Sequence, residues 1–342
     1  MAEANPTVVF PQAKEAVLED RETPRPGPGE VRIRTRASLI STGTELTIFS
    51  GDFPAGSSWA KYGQFPFVPG YSAVGDVVEV GPEVDESWVG KRVASNAPHA
   101  LFALAPTAPG LNQARLLHRQ EVGYEEAAFF AIAEIVMNGL RRARIDWGES
   151  VAIYGLGLLG QLAVRFCRLL GARPVFAIDV ASPRLDLLPD DPGLIRINPR
   201  QDDPAEMVAK HTADRRADVV VELTGNQSLI PGEFDCLRNQ GRFLVLSSPR
   251  GATEFDFHDL CNARSISIIG AHNASTPARG ELDLPWTHSR HSELFFDLVA
   301  DKEIDLQPLI SHRAPYTDAP TFYHQLLEDR SKLMGVVLEW PE

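Results

Sequence analysis

Three glycines and an aspartate form the clearest chemical signature of this 342-residue chain. Gly155, Gly157 and Gly160 follow an apolar run, a helix-patterned segment comes next, and a second apolar run at Val175–Ile178 leads to Asp179. This order predicts strand, glycine turn, helix and strand, which is the arrangement that binds dinucleotides. The glycines would let the backbone approach a pyrophosphate, and the start of the helix would bind its negative charge.

Asp179 is predicted to accept hydrogen bonds from the ribose hydroxyls, which favours NAD over NADP. Arg184 follows at a place suited to the adenosine end. Since ligands of open parallel sheets lie at the carboxyl ends of the strands, further contacts are expected there, mostly through backbone groups. These candidates are Leu158, Leu159, Thr224, Leu246, Ser247, Ala271, His272 and Asn273. Two alternatives stay open: a βαβ turn without a ligand, and an aspartate that only caps its own turn.

Composition excludes several classes of protein. The net charge of −13 argues against a nucleic-acid surface, which needs clustered Lys and Arg. No run approaches 18 apolar residues, so no membrane span is expected, and the N-terminus lacks the basic start and apolar core of a secretion signal. We therefore expect a cytoplasmic enzyme with a small-molecule substrate. The separated Cys167, Cys236 and Cys261 are expected to be buried thiols that cannot form a structural zinc site.

The elements that position these residues fall into two patterns. Short strands and turns dominate the first 120 residues, as in a partly open β-barrel. Strands and helices then alternate, which predicts an α/β fold with a doubly wound parallel sheet. We predict a catalytic domain at 1–120, a NAD-binding domain at 121–272, and a return to the catalytic domain at 273–342. In this last part a helix is predicted at Ser292–Asp301, after a polar loop at Ser275–His291.

The order of motifs resembles the medium-chain dehydrogenase/reductase superfamily along essentially the whole chain. The matching segments are Pro26–Val31, Pro69–Gly75, Gly90–Val93 and Gly155–Gly160. Within the superfamily, Ile40–Glu45 is similar to the branch of bacteriochlorophyllide dehydrogenases and polyol-type alcohol dehydrogenases. The resemblance implies a GroES-like catalytic barrel and a Rossmann domain. It also implies a homodimer, for which the apolar edge strand at Ser265–Ile269 is the expected contact.

The chain departs from the zinc-using members of this superfamily at the metal-ligand positions. Thr42 stands where those members have a cysteine, Tyr71 where they have a histidine, and Ser72 where they have the neighbouring acid. The third ligand, expected near Ala131, is also missing, although Glu134 lies one turn later. Neutral hydroxyls are poor zinc ligands, so we predict that no metal is bound.

Something other than zinc must then handle the proton of an alcohol. Tyr71 carries a phenol, and Thr44 matches the hydroxyl that relays protons in zinc-using relatives. His99 is the best-placed titratable side chain, and Glu45 and Thr42 are further candidates. Each has a structural alternative: Tyr71 could fill space, His99 could be a paired core histidine, Glu45 could bond the backbone, and Thr42 could serve packing.

These observations predict a zinc-independent, NAD-dependent oxidoreductase that transfers hydride between the nicotinamide and a secondary alcohol or ketone. One alternative is an NAD(P)H-dependent quinone or enone reductase, although Asp179 would repel the extra phosphate of NADPH. Another is a non-catalytic NAD(H)-binding regulatory or scaffold protein, because no replacement base is obvious.

Overall fold

The computed structural model describes residues 4–341, and these divide into two units. The first unit runs to Glu134 and resumes at Thr276, and the second comprises Ile135–Ser275. The sequence prediction places the corresponding boundaries at 120/121 and 272/273. Among residues 4–341, no helix is both long and apolar enough to cross a bilayer.

The strands are β1 (Ala4–Val9), β2 (Val17–Glu22), β3 (Glu30–Leu39), β4 (Ala73–Val80), β5 (Arg92–Ser95), β6 (Phe102–Pro106), β7 (Arg115–Leu116), β8 (Val151–Tyr154), β9 (Val175–Ile178), β10 (Leu194–Ile197), β11 (Ala217–Glu222), β12 (Leu237–Val245), β13 (Ser267–Gly270), β14 (Ile310–Pro315) and β15 (Gly335–Glu339). The helices are α1 (Thr44–Ser50), α2 (Ser58–Tyr62), α3 (Tyr124–Ala127), α4 (Phe130–Ala143), α5 (Leu158–Leu169), α6 (Ser182–Asp186), α7 (Pro204–His211), α8 (Ile230–Glu233), α9 (His288–Ala300) and α10 (Ala319–Glu328).

The second unit is built on a six-stranded sheet in the order β10-β9-β8-β11-β12-β13. Every neighbouring pair is parallel. β8 and β9 are buried nearly throughout, as expected for a parallel sheet covered by helices on both faces. The strand order reverses between β8 and β11, where open sheets of this kind form a ligand crevice. The predicted doubly wound parallel sheet is therefore confirmed.

The first unit contains a seven-stranded sheet in which β3 pairs with β15, β4 and β6. Buried and half-buried residues alternate along β3, and its inward side chains Val31 and Ile33 pack with Val77 and Val93. The antiparallel pairing of β15 with β3 brings the tail of the chain into this unit. The predicted fold class, a parallel sheet joined to a discontinuous β-rich domain, is confirmed.

An aromatic core fixes helix α1, which carries two of the candidate residues. The ring of Phe10 lies 5.1 Å from that of Phe49 on α1 and 4.8 Å from that of Tyr323 on α10. All three side chains are fully buried. Aromatic pairs at these distances add to the stabilisation from area burial, so α1 and α10 are held together.

Two segments differ from the sequence prediction. Helix α9 begins at His288, because the side chain of Thr287 accepts a hydrogen bond from the amide of Arg290 and caps the helix start. The polar residues before it predict a continuous loop, because the sequence pattern alone does not show this cap. Strand β13 begins at Ser267, since Ser265 has a φ of +53°. β13 is the end strand of its sheet order, and Ile268 is 44% exposed. Pairing of two copies through this strand stays a prediction.

The close packing at Gly160 gives a test of the second unit. A Cβ at Gly160 would lie 1.9 Å from the carbonyl oxygen of Gly155, whereas a Cβ at Gly157 would meet nothing within 4 Å. We expect Gly160→Ala to lower the free energy of unfolding by about 1–3 kcal/mol, because the backbone must shift. Gly157→Ala is the matched control and should change it by less than about 1 kcal/mol. Urea unfolding of both variants measures the difference, and equal stabilities would contradict the close packing.

Candidate active site

The residues of the glycine turn in the second unit have different roles. Gly155 has a φ of +91°, and a Cβ there would lie 2.8 Å from the carbonyl carbon of Leu223. Gly157 precedes α5 and has open space in place of a side chain. The first N–H groups of a helix have no intrahelical partner, so those of Leu158 and Leu159 can receive an anion. The predicted turn is therefore suited to a pyrophosphate.

Asp179 follows β9 and is fixed beside this turn. Its Oδ2 accepts the amide of Leu156 at 2.7 Å and Arg184 at 3.4 Å, and its Oδ1 accepts the amide of Ala181 at 2.8 Å. An ionised carboxylate accepts about four hydrogen bonds, so Oδ1 keeps capacity for one more donor. The predicted neighbours Asp179 and Arg184 thus lie together, with one acceptor position left for a ligand.

Glu222, the last residue of β11, was missed by the sequence analysis. Its Oε1 accepts the amide and hydroxyl of Thr224, each at 2.7 Å, and the amide of Gly225 at 2.9 Å. Its Oε2 accepts the hydroxyl of Ser247. One buried carboxylate therefore holds two predicted cofactor-contact residues side by side. An acid directly after the apolar run Val219–Val221 was the available signal.

The other predicted cofactor contacts also follow strand ends. The amides of Leu246 and Ser247 bond to the carbonyl of Glu222, and the amide of Ala271 bonds to that of Val245. The carbonyl of His272 accepts the side chain of Asn138 at 3.3 Å, and Asn273 begins a short 3-10 helix. These residues continue from β12 and β13, at the carboxyl edge of the sheet.

In the first unit, three hydroxyls meet where the sequence analysis expected Tyr71 to replace a metal ligand. The phenol oxygen of Tyr71 lies 2.5 Å from Oγ of Ser41, and the hydroxyl of Thr44 also lowers the pKa of this phenol. We call Ser41, Thr44 and Tyr71 the hydroxyl cluster. Burial raises the pKa of Tyr71 to about 12, and the charge of Glu45 adds to this, while the bonds to Ser41 and Thr44 oppose it. Sequence reasoning missed Ser41, although it lies within the quoted motif Ile40–Glu45.

The carboxylate of Glu45 is bonded to Ser41 of this cluster and is 1% exposed. Its Oε1 accepts the amide of Ser41 at 3.0 Å. Its Oε2 accepts Nε2 of His99 at 3.1 Å and the phenol of Tyr323. Burial and this bond raise the pKa of Tyr323 well above its ordinary value. Glu45 thus bonds a neighbouring backbone group, which is the structural alternative given for it above. Through Tyr323 it also joins α1 to α10.

His99 is fully buried, and both of its ring nitrogens have partners. Nδ1 lies 2.8 Å from Oγ of Ser38, which in turn accepts the indole N–H of Trp340 at 2.9 Å. Every group is satisfied if Ser38 donates to Nδ1 and Nε2 donates to Glu45. A Cβ at Gly70 would lie 2.4 Å from the amide nitrogen of His99, so only glycine fits beside this histidine. His99 therefore contacts Glu45, and its path to Tyr71 runs through that carboxylate and Ser41.

The residues at the zinc-ligand positions of related enzymes do not form a zinc site in the described part of this chain. Ser72 donates to the carbonyl of Ala128 at 2.5 Å, and Thr42 is a half-exposed hydroxyl. Glu134 is buried and committed to Arg115 at 2.7 Å and His288 at 3.0 Å. Within residues 4–341, no group of three or more His, Cys, Asp or Glu side chains could hold a metal ion. Zinc needs such nitrogen, sulfur or carboxylate ligands, so the residues present do not fit it.

Comparison with known proteins gives the family. Residues 27–124 match the alcohol dehydrogenase GroES-like domain, and residues 159–287 match the zinc-binding dehydrogenase domain. The first match lies within the first unit, and the second covers much of the second unit and continues to residue 287. The chain belongs to the medium-chain dehydrogenase/reductase superfamily. The similar proteins are dehydrogenases of alcohols and polyols, which supports an oxidoreductase that acts on alcohols.

Individual members of the superfamily are similar over nearly the whole chain. D-guloside 3-dehydrogenase of Escherichia coli is 23% identical over 328 residues, which are 90% of this chain and 92% of that protein. The crystal structure of 2R,3R-butanediol dehydrogenase from Bacillus subtilis has a TM-score of 0.80 at 17% identity, covering 99% and 100% of the two chains. An alcohol dehydrogenase from Escherichia coli CFT073 in complex with NADH has a TM-score of 0.81 at 15% identity, covering 98% and 100%. These likenesses support the fold.

The bonds of Glu45 can be tested by Glu45→Gln. The amide would place an N–H₂ group against at least one donor among Ser41, His99 and Tyr323, so we expect the free energy of unfolding to fall by about 3 kcal/mol. Glu121→Gln is the matched control, since that side chain is 65% exposed beside Arg119 and should contribute less than about 1 kcal/mol. Urea unfolding measures both. Equal effects of the two substitutions would show that Glu45 does not organise the site.

Proposed function

We propose that this protein is an NAD-dependent oxidoreductase that interconverts a secondary alcohol and its ketone without zinc. The hydroxyl cluster carries this proposal, because it puts a phenol where zinc-using relatives have a metal ligand. A bound nicotinamide would supply or accept the hydride. The chain itself must then bind the substrate oxygen and move its proton.

Tyr71 is the group proposed to move that proton. As a neutral phenol it can donate to a ketone oxygen, and as a phenolate it can accept a proton from an alcohol. Because burial raises its pKa to about 12, the neutral phenol predominates at neutral pH. At neutral pH, Tyr71 is therefore in the form that donates a proton to a ketone oxygen.

The environment of Asp179 supports NAD over NADP. The open acceptor position on its carboxylate suits a ribose hydroxyl, whereas a phosphate would bring further negative charge against Asp179. Arg184 is already paired with Asp179 at 3.4 Å. Similar solved structures are in complex with NADH in one case and with NADP in another, so the proposed preference rests on Asp179.

The donor set supports a reaction without zinc, and the relatives indicate the kind of substrate. The side chains at the ligand positions are hydroxyls and a methyl group, with Ser72 already bonded to the backbone. The names of two similar proteins describe dehydrogenases of a guloside and of a butanediol. We therefore propose a hydroxylated substrate with a secondary alcohol.

The direct test uses protein treated with a chelator and shown by elemental analysis to be free of metal. We expect it to oxidise members of a panel of secondary alcohols and to bind NADH at least about tenfold more tightly than NADPH. Tyr71→Phe should lower kcat by about 10²–10⁴-fold without changing the Kd for NADH, since general acid–base catalysis contributes that much. Tyr316→Phe, the same change at a half-buried tyrosine stacked on Trp340, is the control.

Other results would identify a different function. Loss of activity on metal removal, with recovery on adding zinc, would contradict the metal-free reaction. Reduction of quinones or enones by NADPH, with no alcohol oxidised, would favour the reductase alternative. Binding of NADH without turnover of any substrate would favour a regulatory or scaffold protein.

The raised pKa of Tyr71 also predicts how the two directions depend on pH. Since the neutral form predominates below about pH 12, the phenolate fraction rises about tenfold per pH unit through the range from 7 to 10. We expect kcat/KM for alcohol oxidation to rise with it, and kcat/KM for ketone reduction to stay level. Profiles of kcat/KM against pH in both directions test this. A plateau of the oxidation rate near pH 7 would point to a different base, such as a histidine.

A further inference from the structure

We infer that Ser41 is a positioning residue for the proposed proton transfer. Its hydroxyl, with that of Thr44, donates to the phenol oxygen of Tyr71 and stabilises the phenolate that forms when Tyr71 protonates the substrate. This inference rests on the proposed function, but it concerns a residue that sequence reasoning did not select.

The direction of the bond between Ser41 and Tyr71 decides whether Tyr71 can act. A phenol has one proton and can donate it to one acceptor only. If Tyr71 donated to Ser41, no proton would be left for a substrate oxygen. In the productive arrangement Ser41 must therefore donate to Tyr71. The separation of 2.5 Å is at the short end for O–H···O bonds, so the two hydroxyls are in direct hydrogen-bond contact.

The main chain holds Ser41 in place for this bond. Its amide donates to Oε1 of Glu45 at 3.0 Å, and the amide of Glu45 donates back to the carbonyl of Ser41 at 3.2 Å. His99 and Tyr323 hold the same carboxylate from other elements. Ser41 is only 4% exposed, so water competes little for its hydroxyl.

Electrostatics explains why such donors are needed. The titratable groups that act on the Tyr71 phenol are Glu45 on α1 and Tyr62 on α2, and both oppose a negative charge there. The two hydroxyls of Ser41 and Thr44 act in the other direction. Without Ser41, a phenolate at Tyr71 would face the Glu45 carboxylate with one stabilising donor instead of two.

In ketone reduction, a reduced nicotinamide is the hydride donor. The carbonyl carbon gains the hydride, and the O–H bond of Tyr71 breaks as a new O–H bond forms on the substrate oxygen. The electron pair of the broken bond stays on the Tyr71 oxygen, where Ser41 and Thr44 donate to it. Water later returns a proton to Tyr71, and the substrate leaves as the alcohol.

The test measures the ionisation of residue 71 directly. Replacing Tyr71 with 3,5-difluorotyrosine lowers the phenol pKa into the range where the protein is folded, and ¹⁹F NMR then reports its titration. We expect Ser41→Ala to raise the midpoint by about one to two pH units, because a hydrogen bond to a charged group is lost. In the unfluorinated protein, Ser41→Ala should lower kcat for ketone reduction about tenfold or more, with KM for NADH unchanged.

Two further variants separate this role from a structural one. Ser41→Thr keeps a hydroxyl and should restore the midpoint and kcat. Ser50→Ala makes the same change at a serine of α1 whose hydroxyl donates to the carbonyl of Thr47, and it should leave the midpoint unmoved. The main-chain bonds between Ser41 and Glu45 survive in each variant, so folding should be retained.

The outcomes distinguish the two proposals. An unchanged midpoint in Ser41→Ala, in a protein whose turnover depends on Tyr71, would overturn the role of Ser41 alone. A shifted midpoint in a protein that turns over no substrate would overturn the proposed function. A shifted midpoint with a matching loss of kcat supports both.

Discussion

The buried carboxylate of Glu45 is the interaction on which the candidate active site depends. A carboxylate taken out of water is costly unless its oxygens are bonded, and here three donors satisfy it. They come from the backbone of Ser41, the ring of His99 and the phenol of Tyr323. Because these residues belong to distant parts of the chain, one charge fixes the turn between β3 and α1. That turn carries the hydroxyls that bond Tyr71.

The second unit uses buried acids in the same way. Asp179 directly follows β9 and Glu222 ends β11, and each accepts an amide from the turn that follows. Asp179 also reaches back to the glycine turn through the amide of Leu156. In both units, acids that could be taken for reactive groups mainly shape the backbone that would receive a ligand. In the proposed reaction, the chemistry is then left to neutral hydroxyls and to a bound cofactor.

Features set by neighbouring residues could be predicted from the sequence, and features set by distant ones could not. The strands at Val151–Tyr154 and Val175–Ile178 have the predicted bounds, because apolar runs and glycine spacing are local signals. The bond between Glu45 and Tyr323 joins residues 278 positions apart, and no local sequence pattern predicts it. The pairing of Ser41 with Tyr71 was missed for the same reason. Tyr71 and Thr44 could be selected only because the superfamily pattern marked their positions.

The most direct measurement is a crystal structure of the protein with NADH and an unreactive ketone analogue, recorded with X-rays at the zinc absorption edge. We expect the ketone oxygen within hydrogen-bond distance of the Tyr71 phenol, Ser41 still bonded to that phenol, and no anomalous signal beside Tyr71. An anomalous zinc signal there, or a ketone oxygen bound by other residues, would contradict it.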